Sequence, residues 1–117
     1  MSVGKLGRLS WRAASLLLAL VLPIGNAAFA CAYYYCSDTI GVLYVDANGA
    51  YISPTNGVTG LTNCTPLSGV YLTLPKSDPN YSSYYAALLA ARLTGQSLTI
   101  RTLDGSNGCN VGYITIP

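Results

Sequence analysis

Asp78-Pro79-Asn80-Tyr81-Ser82-Ser83-Tyr84-Tyr85-Ala86-Ala87-Leu88-Leu89-Ala90-Ala91-Arg92-Leu93-Thr94-Gly95 changes the period of the chain from two to that of a helix, and its position decides the fold. Asp78 supplies an N-cap and Pro79 a first-turn proline ahead of a helix over Tyr81 to Leu93. Gly95 stands where a left-handed C-cap is wanted. On a helical wheel Tyr81, Tyr84, Leu88 and Ala91 share one face, and Tyr85, Leu89 and Leu93 widen it to a broad apolar arc. Ser83, Ala87, Ala90 and Thr94 form the less apolar side. So wide an arc serves either a deep core alone or a core plus a partner surface. In the second case Tyr85, Leu89 and Leu93 are the interface residues of a homo-oligomer.

Short strands surround the helix. Ile40 to Val45 is rich in β-formers, and Asp46-Ala47-Asn48-Gly49 is a turn whose Asn-Gly supplies positive φ for a hairpin. Ala50-Tyr51-Ile52 returns as the second strand until Pro54 stops it. Asn56 to Asn63, rich in Gly, Thr and Asn, reads as a surface loop tied down at Cys64. Val70 to Leu74 puts Val70, Leu72 and Leu74 on one face against Tyr71 and Thr73. Beyond Gly95, Ser97 to Leu103 alternates Leu98 and Ile100 against Thr99 and Arg101, and Asp104 to Gly108 is a turn. Val111 to Ile116 is the last strand, with Val111 and Tyr113 on one side and Ile114 and Ile116 on the other. The order β-β-β-α-β-β predicts a mainly β fold with one helix, a small five-stranded OB-like barrel, whose closure would remove exposed sheet edges.

Residues 1–30 read as a cleaved signal peptide. Lys5, Arg8 and Arg12 lead into an apolar run from Ala13 to Leu22, and Ala28-Phe29-Ala30 places small residues at the two positions a signal peptidase reads. The run is interrupted by Pro23 and Gly25 and is about half the roughly 20 residues of a membrane span, so no span is expected after cleavage. A cysteine directly after the cleavage point is also what a lipid anchor requires. Ala28 and Phe29 are a poor match to the leucine-plus-small-residue approach such anchors use. The expected product is a single OB-like domain over 31–117, exported to the periplasm or the exterior. Cleavage removes Met1, Trp11 and Phe29 with three of the six basic residues. Lys76, Arg92 and Arg101 then face Asp38, Asp46, Asp78 and Asp104, a net charge of −1.

A domain this small has a core too limited to be generous about stability, and its four cysteines suit an oxidising compartment. Four cysteines allow three connectivities. Cys31–Cys36 and Cys64–Cys109 are the expected pairs, because each links segments that the strand order brings together. On chain-entropy grounds the long loop contributes roughly 4 kcal/mol and the short one about 2 kcal/mol. Metal binding is not expected, with no histidine and no CxxC spacing. The wider spacing of Cys31 and Cys36 also argues for structural bridges over redox-active ones.

The chemistry argues against an enzyme and against any cofactor. With no histidine, no glutamate and four scattered aspartates, no acid/base pair is in view, and the serines lack a neighbouring base. Three basic residues on a net-negative domain cannot neutralise a phosphate track, which excludes nucleic acid as a partner. Tyrosine is the informative residue. All ten lie beyond residue 30, and Tyr33-Tyr34-Tyr35 sits inside the expected Cys31–Cys36 loop. Tyr44, Tyr51, Tyr71 and Tyr113 read as half-buried strand positions. Tyr33, Tyr34 and Tyr35 read as a contact surface, since tyrosine offers a rigid apolar face and a hydroxyl at low entropic cost. Asn63-Cys64-Thr65 and Asn80-Tyr81-Ser82 fit the glycan-acceptor pattern and are assigned no function.

Tyr34-Tyr35-Cys36-Ser37-Asp38-Thr39-Ile40 leading into Leu43-Tyr44-Val45, and Leu88-Leu89 followed by Thr94-Gly95-Gln96-Ser97 and Ile100-Arg101, resemble the receptor-binding B subunits of subtilase-cytotoxin and typhoid-toxin type AB5 toxins. The resemblance covers about a third of the chain after residue 30. It also extends to small exported bacterial proteins that share the Leu-Leu-Ala-Ala, Thr-Gly and late-cysteine pattern. It implies an OB-fold that assembles as a ring and binds sialylated glycans. In that family a serine just before the first strand reaches the sugar; the matching position here is Cys36, with Ser37 adjacent. The middle of the chain and the stretch after the last strand differ from the family pattern. The expectation is a non-catalytic glycan- or receptor-binding module, with Tyr33, Tyr34, Tyr35, Ser37 and Asp38 as contact residues. The alternative is a structural or inhibitory envelope protein that binds another protein and has no sugar site.

Overall fold

The structure, a computed structural model, describes residues 30–117. The signal peptide expected over residues 1–30 therefore lies, apart from Ala30, outside the described residues. Among the described residues nine strands and one helix follow in chain order. They are β1 (Cys31–Ala32), β2 (Tyr35–Asp38), β3 (Ile40–Asp46), β4 (Gly49–Pro54), β5 (Thr65–Pro66), β6 (Leu72–Pro75), α1 (Tyr81–Thr94), β7 (Leu98–Thr102), β8 (Asn107–Gly108) and β9 (Val111–Thr115). The fold is mainly β with one helix, as expected.

The closed five-stranded barrel is not formed. The strands lie in three open sheets, ordered β1-β2-β7-β9, β3-β4-β6 and β5-β8. Closure would need one unbroken run from Tyr35 to Asp46 to serve two sheets, but the run is interrupted at Thr39: β2 before it pairs with β7, β3 after it pairs with β4, and a register irregularity between Ile40 and Val42 bends the start of the β3–β4 pair. Gly41 sits in that irregularity, where a Cβ would press on the backbone of Thr55 at 3.1 Å. On the far side no ladder joins β6 to β9; a single parallel bridge links Thr73 of β6 to Asn110, the residue before β9.

Alternation sets the core. Across β3-β4-β6 the register aligns Leu43, Ile52 and Leu72 in one row and Val45, Ala50 and Leu74 in the next, with Ala50 and Leu74 buried and Val45 left exposed at the sheet edge. Ile52, Leu72 and Leu74 are fully buried and meet Ile100, Val111 and Leu88 from the other sheet and the helix. Asp46 closes the β3–β4 turn by accepting bonds from the Asn48 and Gly49 amides at 2.8 and 3.2 Å. The third strand starts later than its alternation suggests, since Val70 is exposed and Leu67 and Tyr71 form their own bridge. In the last strand Val111 is buried while Tyr113 is half exposed, so the two do not share a face. A bulge against Arg101 and Thr102 inserts an extra residue and turns the face over.

Helix α1 runs one residue beyond the expected Leu93 and ends on Gly95 in the left-handed conformation, φ 70°. Its start differs: Asn80 is the N-cap, without a side-chain bond, and Asp78 instead accepts the Asn80 amide at 2.8 Å. Leu88 and Ala91 enter the core, and Tyr84 ties the helix to β9 by donating its hydroxyl to the Gly112 carbonyl at 3.0 Å. Both disulfides are those expected. Cys31–Cys36 joins directly opposite residues of β1 and β2, and Cys64–Cys109 fastens the segment before β5 to the one after β8.

Candidate functional site

Ala32 pairs with Tyr35 across β1 and β2, which leaves Tyr33 and Tyr34 alone in a two-residue hairpin turn. Such turns favour Gly or Asn where φ is positive. Tyr33 nevertheless adopts φ 48° and is 63% exposed. A non-glycine side chain in that region costs about 1–2 kcal/mol. The backbone around it compensates. The Tyr33 amide donates to the Gly60 carbonyl at 2.9 Å, and the Tyr33 carbonyl accepts the Thr62 and Asn63 amides at 2.9 and 3.0 Å. Gly60 permits this close approach, because a Cβ there would collide with the Cys31 carbonyl.

The three rings form a chain of edge contacts. Tyr33 and Tyr34 meet edge-to-face with centroids 5.6 Å apart, and Tyr34 and Tyr35 at 5.3 Å. The Arg101 guanidinium lies 4.8 Å from the centre of the Tyr34 ring, a cation–π contact. Arg101 is itself held, donating to the Thr102 carbonyl and standing 3.8 Å from the Asp104 carboxylate. Behind the turn, fully buried Thr102 donates its hydroxyl toward the Tyr34 carbonyl and the Asn63 side-chain oxygen, at 3.1 and 3.0 Å. Asn63 in turn donates to Asp104 at 2.9 Å and to the Thr102 carbonyl at 3.1 Å.

The five residues singled out from the sequence divide three ways. Tyr33 and Tyr34 form the turn. Tyr35 and Ser37 lie on the outward face of β2, where the Ser37 and Thr99 hydroxyls share a bond of 2.7 Å. Asp38 belongs to neither group: its carboxylate accepts the Thr39 amide at 2.8 Å and the Asn56 amide at 2.7 Å, pinning the loop after β4. Asp38 is thus a positioning residue. Cys36 is buried within its disulfide, while Ser37 beside it is exposed. Beside Asp38 a niche lined by Ile40, Ile52, Leu98 and Ile100 offers about 10 Å³, room for roughly one water and far too small for a sugar.

Arg101, Thr102, Asn63 and Asp104 were not legible as parts of this site. Single basic and polar residues in alternating segments carry no signal until the fold brings them to the turn. On the helix, Leu93 is 77% and Leu89 38% exposed, whereas Tyr85 is half-buried and stacks on Tyr81 at 5.9 Å. Among the described residues no helix is long and apolar enough to cross a membrane. Comparison of the chain with protein-family models, curated proteins and solved structures finds no match.

Proposed function

We propose that this protein is an exported, non-catalytic binding module, secreted or periplasmic, that contacts a glycan or glycan-bearing receptor through the Tyr33-Tyr34 turn. The observation that carries the reading is Tyr33 itself: a large exposed aromatic in a left-handed turn position that glycine would fill more cheaply. Strain retained at an exposed aromatic, and braced by three backbone bonds, is the kind of cost that function repays. Tyr34 and Arg101 extend the same surface.

Two further parts belong to this reading. The strand path is OB-like in an opened form, supported by a Tyr35–Asp46 run that pairs first with β7 and then with β4, and by the bridge from Thr73 of β6 to Asn110 just before β9. The protein self-associates along the exposed Leu89 and Leu93 edge of α1. Export is supported by the two disulfides, which persist in oxidising compartments.

A glycan array probed with the disulfide-bonded protein tests the function. Binding by wild type that Tyr33→Gly removes is the expected result. A blank array in the presence of a captured protein partner favours the sugar-free envelope-protein reading.

A further inference from the structure

The tyrosine turn opens onto a sheet face of which the sequence singled out only Tyr35 and Ser37 as contact residues. Register places Tyr35, Arg101 and Tyr113 in one row across β2, β7 and β9, and Ser37, Thr99 and Thr115 in the next. Residues two apart on a strand share a face, so these six project on one side. The intervening Cys36, Ile100 and Ile114 point to the core. Tyr113 is 50% exposed, Ser37 and Thr115 are exposed, and the Ser37–Thr99 bond confirms that the hydroxyl row is in contact.

The face has an aromatic row, a hydroxyl row and no uncompensated cation. Its single cation, Arg101, is met by the Asp104 carboxylate, by the Thr102 carbonyl and by the Tyr34 ring. Lys76 lies beyond β6 and Arg92 on α1, and Asp38 points away from this face. A carboxylated ligand would compete with Asp104 for the guanidinium and meet its exposed negative charge. A neutral, hydroxyl-rich ligand would not. Three strands at about 4.8 Å spacing make the platform about 10 Å wide between Tyr35 and Tyr113, enough for successive sugar rings to lie across it.

We propose that the outward face of β2, β7 and β9 is an extended subsite for neutral oligosaccharides, with Tyr113 and Thr99 as contact residues continuous with the Tyr33-Tyr34 turn. The inference rests on the glycan reading above and names the ligand class of that surface. Arg101 acts as a positioning residue that orients Tyr34 and keeps the face uncharged.

The test is titration calorimetry of the disulfide-bonded protein against a panel of neutral lactosamine-type oligosaccharides and the same chains capped with sialic acid. The expected result is binding of the neutral chains at least as tight as of the capped ones. Tyr113→Ala and Thr99→Val should each weaken it by about tenfold with little change in melting temperature, Tyr113 being half exposed and Thr99 partly exposed with its one side-chain bond going to exposed Ser37. If Tyr33→Gly abolishes binding while Tyr113→Ala leaves it intact, the extended subsite is wrong and the turn reading stands. Binding confined to the sialylated chains overturns the neutral assignment. Absence of binding across the panel removes the glycan reading and this inference with it.

Discussion

Thr102 binds the Tyr34 carbonyl twice, through its amide at 2.9 Å and its hydroxyl at 3.1 Å, and so locks the tyrosine turn to the end of β7. The same hydroxyl reaches the Asn63 side chain, which fastens the loop that carries the Tyr33 carbonyl contacts. The turn is therefore held by bonds within the fold as well as by the Cys31–Cys36 bridge. Because Thr102 is fully buried, removing its hydroxyl leaves polar partners without water to replace it.

Thr102→Val should accordingly destabilise the domain by about 1–3 kcal/mol, with Thr102→Ser recovering most of the loss. Urea unfolding of the three proteins measures it. Equal midpoints for wild type and Thr102→Val would show that the network contributes nothing.

Tyr33→Gly should separate stability from function. Glycine relieves the positive-φ cost but frees the unfolded chain, so the net change in stability is expected to stay within about 1 kcal/mol of zero. Ligand binding should be lost. A variant that unfolds readily would mean that the ring is structural.

Tyr51 supplies the pH dependence. Burial first, then its hydroxyl bond to the Asp46 carboxylate at 3.2 Å and the charge of that carboxylate, raise its pKa above the ordinary 10.0. Tyrosine is neutral when protonated, so a raised folded pKa favours the folded state increasingly little as the proton is lost. The contribution is complete below pH 10.0, the unfolded value, and disappears as pH rises through the folded one. Stability should fall on that alkaline flank, and Tyr51→Phe should flatten the fall. A spectrophotometric phenolate titration combined with unfolding curves at each pH checks both.

The two bridges should differ in weight. Opening Cys64–Cys109, which spans 45 residues of sequence, should cost about 2–5 kcal/mol in a Cys64→Ser/Cys109→Ser double variant. Opening Cys31–Cys36, with a separation of 5, should cost about 2 kcal/mol. Equilibrium denaturation ranks them, and an inverted order would contradict the loop-length argument.

Leu88 and Leu89 are neighbours with opposite expected effects. Leu88 is fully buried, so Leu88→Ala should lower stability by roughly 2–5 kcal/mol without altering assembly. Leu89→Asp should break the oligomer and leave the fold intact, because Leu89 lies on the exposed edge. Light scattering of the wild type comes first: a monomer at micromolar concentration removes self-association and the avidity it would lend to glycan binding.

What the amino-acid sequence determined by itself is what depends on near neighbours in the chain. Gly95 ends the helix, Asp46 to Gly49 turns the hairpin, Pro54 ends β4 and Leu88 faces inward, all through contacts within a few residues. The paired cysteines were legible too, since the strand order already placed them together. Tertiary structure decided the rest. It opened the expected barrel into three sheets at Thr39 and Gly41, and it assigned Asp38 to the Asn56 loop instead of to a ligand. It also gathered the site from afar: Ser37 meets Thr99 across 62 residues and Tyr34 meets Thr102 across 68. Short-range signals are written in backbone propensity and side-chain period, which act before the chain is compact. Register between distant strands is set only when the buried rows of Ile52, Leu72 and Ile100 pack together, and that packing places Tyr113 beside Arg101.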